Sequence, residues 1–524
     1  MIETDVLVLG GGPAGTWAAL KAAATGASVL LADKGFCGSS GATAAAGTGI
    51  WYVRPEPELR ERAMASREGL GGYLADREWM ARVLDETYDR VDELATDGRY
   101  PFPVGPDGQQ IRTGVQGPDY MKRQRLRVQR AGVRILDHSP AVELLVDPYG
   151  AVAGARLQRL ADGTRIDVAA AAVVLATGGC AFLSKTLGCN VNTGDGALMA
   201  VEAGAELSGM EFSNAYAIAP EFTSVTKTAY YSFATFYLGS GEPLAGASGK
   251  ARTPIAKALL TEPVYCTLDR ADAAQRQAMR RGQPNFFLTF DRLGIDPFTD
   301  RFPVTLLLEG TVRGTGGVRI TGPDCSTSVP GLYVAGDVAT RELICGGFTG
   351  GGSHNAAWAM SSGIWAGTGA GGYALRQRDS VPRPRLGAGG AGVRPLDRPD
   401  AELRPADLVA AVQAEVLPYD KNYLRHGDRL RPALATLNEL WRQARSGLSA
   451  PDTSKARSAA AMTAHARWMY TAALARTESR GMARRQDFPD LDPAQHYRLL
   501  TGGLDDIWTT PEPVFRGRRA LVPA

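Results

Sequence analysis

Gly10, Gly12 and Gly15 fall at the G-x-G-x-x-G spacing inside Gly10-Gly11-Gly12-Pro13-Ala14-Gly15. In that pattern the first glycine makes a tight turn. The second lets the backbone approach a pyrophosphate, and the third lets a helix pack on the preceding strand. The helix N-terminus that follows supplies partial positive charge to the phosphates. Asp33 lies about 20 residues further on, where a carboxylate can bond ribose hydroxyls. These residues together point to dinucleotide binding. The elements needed to hold them are also present. Residues 4–9, TDVLVL, are apolar and β-branched, Thr16 to Thr25 is Ala-rich and helix-prone, and Ala27 to Ala32 runs apolar into Asp33. The order is strand, glycine turn, helix, strand, acid.

Two later runs end in the same way. Val173 to Gly179, VVLATGG, places Ala176, Thr177 and Gly178 in a small-residue turn. Leu332 to Val338, LYVAGDV, places Gly336 and Asp337 just past a strand end. A nicotinamide domain would be complete well before the second of these. Segments this distant are expected where the chain closes around one long cofactor, and that favours FAD over NAD. Gly346 to Ser353, GGFTGGGS, leads into a helix-like stretch from Asn355 to Ala366. A helix N-terminus aimed at the flavin pyrimidine edge would stabilise negative charge on reduced flavin. His354 in this loop is either an acid or base of the reaction or a histidine bonding a carbonyl beside the cofactor. Arg313, Arg319 and Arg341 flank the expected flavin face. An arginine there can clamp an anionic substrate bidentately or serve a structural ion pair. Glu309 is apolar-flanked, which either raises its pKa or marks a satisfied strand-end carboxylate.

With these motifs in place, the sequence resembles the fumarate reductase/succinate dehydrogenase flavoprotein family, which includes L-aspartate oxidase and the flavoprotein subunit of adenylylsulfate reductase. Ser39 to Gly49, SSGATAAAGTG, resembles the family loop that lies against the flavin ring. Asn192 to Leu207 and then Met210-Glu211-Phe212 resemble the stretch closing the FAD domain, with Asp195 touching the cofactor by similarity. Gly316-Gly317 followed by Val318-Arg319-Ile320-Thr321 resembles the return from the capping domain. Ser479-Arg480-Gly481 with Arg485, Asp487 and Pro489 resembles the C-terminal signature. Arg480 is expected to brace the helical domain against the flavin domain.

The departures from the family pattern bear on the reaction. Ala42 stands where some members carry the histidine of a covalent flavin, so the FAD is expected to be non-covalent. Tyr216 and Val312 stand where the family has substrate-binding histidines. Gly350 to Asn355 lacks the family arginine, and the capping region lacks a recognisable proton-donor arginine segment. Fumarate, succinate and aspartate are therefore poor substrate candidates. The expected cofactor-binding set is Gly10, Gly12, Pro13, Ala14, Gly15, Asp33, Lys34, Ser40, Gly41, Thr43, Gly47, Ala176, Thr177, Gly178, Asp195, Gly336, Asp337, Ser353 and Asn355. The expected catalytic set is Tyr216, Arg313 and His354. No metal is expected.

Composition closes off other classes. The chain has 524 residues and a formal net charge of +3, giving no electrostatic case for nucleic acid or anionic membrane. The longest apolar stretch, Val168 to Leu183, is too short and too interrupted to span a bilayer. With a strand starting at Ile2 there is no room for a signal peptide, and a cytoplasmic protein is expected. The six cysteines include no CxxC and the five histidines no HxH, so iron–sulfur, zinc and paired-thiol chemistry are not expected of this chain.

The fold class expected is α/β: a Rossmann-like FAD-binding domain, an inserted α+β capping domain and a C-terminal helical domain. The FAD domain is expected at residues 1–212 and 313–375, the cap at 213–312, a linker at 376–399, and the helical domain and tail at 400–524. The function expected is hydride transfer between a small organic substrate, not a typical dicarboxylate, and flavin N5. Two alternatives stay open: an electron-transfer subunit working with a separate ferredoxin-like iron–sulfur protein, and a non-enzymatic FAD-binding scaffold. A homo-oligomer also stays open.

Overall fold

Short β-branched runs separated by glycine turns and Ala-rich helices build the layer that positions the site. The structure is a computed structural model. It describes residues 1–105, 107–226, 229–349, 351–378, 384–394, 403–448 and 452–514. In chain order come β1 (Ile2–Leu9), α1 (Pro13–Ala24), β2 (Val29–Ala32), β3 (Arg134–Leu136), β4 (Ala141–Val146), β5 (Val152–Gln158) and β6 (Arg165–Leu175). These are followed by β7 (Ala215–Pro220), β8 (Thr235–Leu238), β9 (Val264–Thr267), β10 (Phe302–Glu309), the single turn α2 (Gly310–Arg313) and β11 (Leu332–Val334). The long helix α3 (Gly351–Gln377) and the two-residue strand β12 (Leu386–Gly387) come next. The chain then runs through α4 (Pro405–Val416), α5 (Gly427–Gly447), α6 (Thr453–Ala475), β13 (Tyr497–Gly502) and β14 (Trp508–Pro513).

The main sheet has the order β12-β4-β5-β6-β1-β2-β3, and β11 also pairs with β6. β1 runs parallel to β2 and to β6, with Leu7 opposite both Leu30 and Val173. β6 bonds β5 through its first half and β11 through Val173 to Leu175. Val6, Leu7, Val8 and Leu9 are all buried, as expected of a parallel strand covered on both faces. Helices α1 and α3 pack against each other on one face. A side chain at Gly367 would put its Cβ 2.2 Å from the Ala18 carbonyl oxygen, so glycine allows their close approach.

A second, antiparallel sheet has the order β7-β10-β9-β8. Its face is filled by aromatic residues of residues 230–302: Phe286 packs on Tyr230 and Tyr231, Phe287 on Tyr230, and Phe290 on Phe286 and Phe302, all buried. The polar run near 269–281 forms a helix over Ala273–Gly282, started by a reciprocal Asp272–Gln275 cap. In the C-terminal helices, Leu430, Leu437 and Trp441 of α5 point inward as their spacing requires. α6 is buried on all sides.

Three local expectations differ from the structure. The tail expected to close the 400–524 helical segment includes β14, which pairs antiparallel with β13. β14 lies at a sheet edge, where Pro511 and Pro513 cost no ladder bond to a further strand. The expected linker at 376–399 includes the edge strand β12, with Leu386 opposite Val146. Beyond β12, Gly389 N and Arg394 bond the buried Glu143 carboxylate. Residues 379–383 and 395–399 of that expectation lie outside the described residues. The helix expected from Asn355 begins at Gly351, because glycines are tolerated in a first turn. Gly350 lies outside the described residues.

Candidate active site

A cleft opens at the C-terminal ends of β1, β2, β6 and β11. Its wall includes Gly10, Gly12, Pro13, Ala14, Asp33, Lys34, Ser40, Gly41, Thr43, Gly47, Ala176, Thr177, Gly178, Asp195, Gly336, Asp337 and Asn355. It also includes Arg313 of the expected catalytic set. Gly15 and Ser353 are not on this wall. A Cβ at Gly15 would sit 1.8 Å from the Gly10 carbonyl oxygen, so Gly15 serves helix–strand packing. The Ser353 carbonyl accepts from Trp51 N at 3.0 Å.

The two glycines that shape the turn do so differently. Gly10 has φ +109°, and a Cβ there would lie 2.2 Å from the Ala176 carbonyl oxygen. Gly12 caps α1 with extended backbone, and a Cβ there would meet nothing within 4 Å. The space in front of Gly12 is the cleft itself. The Asp33 carboxylate accepts from Gly11 N and, at 2.7 Å, from Gly35 N. Burial pushes its pKa up. Lys34 Nζ donates to Thr193 Oγ1, Asp195 Oδ2 and Ser458 Oγ, each at 2.7 Å. That one ammonium joins β2, the start of the Asp195–Glu202 helix and α6.

Four buried polar atoms of residues on the wall have no hydrogen-bond partner among the described residues: Thr177 Oγ1, Asn192 Oδ1, Asp195 Oδ1 and Asn355 Oδ1. Buried polar groups are seldom left unpaired, so these mark a polar ligand in contact with the wall. With the open Gly12 cradle, three acceptor oxygens and the Thr177 hydroxyl fit an adenine dinucleotide with a polar ring system. FAD would be held by the glycine turn and α1 N-terminus at one end and by Asn355 and the start of α3 at the other.

At the far end of the cleft, Asp337 pairs with Arg341 Nη1 at 2.5 Å. Arg341 is fully buried, and its Nη2 also donates to the Thr311 carbonyl at 2.7 Å. Burial raises the Asp337 pKa against the opposing pull of Arg341. Arg313 Nε lies 3.7 Å from Glu309 Oε1, too long for a hydrogen bond. The same Glu309 oxygen accepts from Thr226 Oγ1 at 2.8 Å. Asn355 Nδ2 donates to the Val312 carbonyl at 3.0 Å, which ties α2 to α3.

Two of the three expected catalytic residues stand elsewhere. Tyr216 is 1% exposed, off the cleft wall, and its hydroxyl donates to the carbonyls of Val416 at 2.9 Å and Leu417 at 3.1 Å. The carbonyls at the end of α4 draw the hydroxyl away, and burial pushes its pKa well up. His354 is also off the wall. Its ring lies 4.4 Å from the Trp51 ring, and its Nδ1 lies 3.2 Å from Ser353 Oγ. Arg319 pairs with Glu206 and Glu512, away from the cleft. Arg480 pairs with the buried Glu478 and donates to the Gly72 carbonyl at 2.6 Å, joining the C-terminal segment to the 72 turn. The six cysteines are buried, and no group of metal-ligating side chains occurs among the described residues.

Some wall residues left no chemical signal in the sequence. Pro140, Ala141, Val191, Met199 and Ala359 are ordinary apolar positions that topology brings to the cleft. Asn192, in contrast, sits three residues before Asp195 in a motif already singled out. Arg252 was also passed over. It comes from the second sheet's connection, donates to the Tyr216 and Gly249 carbonyls, and acts electrostatically on Glu309 and Arg313.

An FAD binding domain matches residues 5–220, and the fumarate reductase flavoprotein C-terminal region matches residues 415–503. L-aspartate oxidase of Streptomyces coelicolor is 27% identical, covering 98% of this chain and 94% of its own. The fumarate reductase flavoprotein subunit of Mycobacterium tuberculosis is 27% identical, covering 95% of this chain and 94% of its own. Among solved structures, a mutant quinol fumarate reductase flavoprotein from E. coli superposes with TM-score 0.81 at 20% identity, over 100% of this chain and 98% of its own. Adenylylsulfate reductase from Archaeoglobus fulgidus superposes at 0.76 and 18% identity, over 98% and 96%. The last two show the shared fold, with its capping and C-terminal helical parts. Glycine cradle, unpaired wall atoms and matched domains converge, and the chain is an FAD-dependent oxidoreductase of the fumarate reductase/succinate dehydrogenase flavoprotein family.

Proposed function

We propose that this chain transfers a hydride between a small organic substrate, other than a typical dicarboxylate, and FAD held non-covalently in the cleft. FAD bound there supplies the hydride acceptor or donor at N5. The residues of the chain bind, orient and shield. The backbone at Gly12 and the α1 N-terminus take the pyrophosphate, and Asp33 takes ribose hydroxyls. The N-terminal turns of α3, which put Asn355, Ala356 and Ala359 on the wall, stabilise negative charge at the ring end. Arg313 presents a guanidinium to the substrate. The antiparallel sheet and its aromatic face close over that end and exclude water. Ala42 on the wall offers no nucleophile for a covalent flavin link.

The observation that carries the substrate reading concerns two positions. Where the family resemblance leads one to expect imidazoles, the chain has Val312, an apolar wall residue, and Tyr216, buried with its hydroxyl turned to α4. A second reading, an electron-transfer subunit with an iron–sulfur partner, is favoured by the description of one relative as a flavoprotein subunit.

The experiment is an absorption spectrum of the purified protein, followed anaerobically with a panel of reductants and then on mixing with oxygen. Bound yellow FAD that is reduced by a small organic donor supports hydride transfer. Reoxidation within seconds indicates an oxidase. Reoxidation over minutes favours the partner-dependent reading. FAD that no donor reduces would leave a binding scaffold, and protein that cannot be loaded with FAD would refute both readings.

A further inference from the structure

We propose that Glu309 and Arg313 make the cleft select a substrate bearing a single carboxylate and reject one bearing two. This rests on the reading that a small organic substrate occupies the cleft. Only two cationic side chains stand on the cleft wall among the described residues, Lys34 and Arg313. Lys34 is spent on Asp195. Among the described residues Arg313 makes no hydrogen bond; its side chain is 28% exposed, and its guanidinium fork is free for one planar, bidentate carboxylate.

A second carboxylate has no counter-charge to meet. Asp337 on the same wall is already held by Arg341. Glu309 is fixed beside Arg313 by the Thr226 hydroxyl, so its negative charge cannot swing away when substrate arrives. Arg252 reaches the pair electrostatically, but like Glu309 it is off the wall, and two of its guanidinium nitrogens are committed to the Tyr216 and Gly249 carbonyls. One guanidinium is thus left facing a ligand, with a fixed carboxylate next to it. At separations of several ångströms in a partly desolvated cleft, a like charge weakens binding by about an order of magnitude.

The test titrates the FAD-loaded protein with propionate and with succinate, reading the perturbation of the flavin absorption bands. Wild type is expected to bind propionate more tightly than succinate. Glu309→Gln is expected to tighten both acids, because the carboxylate on Arg313 also lies beside Glu309, and to tighten succinate about tenfold more than propionate. Glu309→Asp, which keeps the charge, retains the wild-type preference. Arg313→Gln weakens both acids about tenfold or more. Unchanged FAD content and visible spectrum show that each variant is folded. Wild type that binds succinate as tightly as propionate would overturn the proposal, as would Glu309→Gln with the same ratio of constants. Either result leaves the small-substrate reading standing, because both acids still bind. If neither acid perturbs the wild-type flavin, that reading falls and the selection falls with it.

Discussion

Substituting Gly12 by alanine separates the fold from the cofactor seat. In the protein alone the change is nearly silent. Gly12 has φ −75° and ψ −171°, which alanine adopts freely, and the added Cβ meets no atom within 4 Å. Lower unfolded-state entropy favours alanine by about 0.4–1 kcal/mol, and the poorer N-cap costs a similar amount. The net effect on stability is within about 1 kcal/mol. The methyl group does, however, project into the space where a pyrophosphate must approach the α1 N-terminus. Lifting the phosphates off forfeits one or two charge-assisted hydrogen bonds, about 2–4 kcal/mol. That corresponds to FAD binding weakened about 30- to 1000-fold. The assay is fluorescence titration of the apoprotein with FAD, with thermal melts of the same samples. Gly10→Ala is the contrast. At φ +109° the side chain costs about 1–3 kcal/mol, and its Cβ would collide with the Ala176 carbonyl. It should lower the melting temperature and the soluble yield. If Gly12→Ala binds FAD within about threefold of wild type, the cleft in front of Gly12 is not the pyrophosphate seat.

Tyr216→Phe should cost about 1–2 kcal/mol of stability in urea unfolding, because the Leu417 carbonyl loses the hydroxyl and the Val416 carbonyl is left with Asn422 Nδ2, while the bound-flavin spectrum stays unchanged. A change in the flavin bands with no change in stability would place the hydroxyl at the chemistry after all. Burial, with the Glu211 carboxylate beside it, pushes Glu342 up to about 7. A raised folded-state pKa gives a contribution that is fully present below the unfolded value near 4.5, is lost as pH rises to about 7, and is constant above that. Glu342→Gln should therefore gain up to about 3 kcal/mol relative to wild type at pH 8 and little at pH 4. Equal gains in melts at the two pH values would show that Glu342 ionises normally in the fold.

The parts of the site fixed by backbone sterics were legible in the sequence. Gly10 must be glycine where the chain turns left-handed against Ala176, and the runs before it and after Ala27 read as buried strands because they are almost wholly apolar. Side-chain direction was not legible. A motif position puts Tyr216 on β7, but its hydroxyl is captured by carbonyls at the end of α4, some 200 residues later in the chain. His354 is held against Trp51, a pairing that no local period encodes. β14 carries no strand period of its own, and only the finished sheet shows that its Pro511 and Pro513 lie on an edge.

The pairing of Leu332 with Val173 also carries a consequence for synthesis. Gly10 leaves the ribosome early, but the wall opposite it ends at Ala359. At about 5–20 residues per second, the interval is roughly 20–70 s. During that time the edge of β6 waits without β11, and the glycine turn has no enclosing wall. The cofactor therefore has nothing complete to bind until about two-thirds of the chain has emerged. Cells short of flavin would then accumulate a chain whose late segments dock without the ligand that stabilises their closure. Intracellular FAD supply should accordingly set how much of this protein survives as folded product, independently of how much is translated.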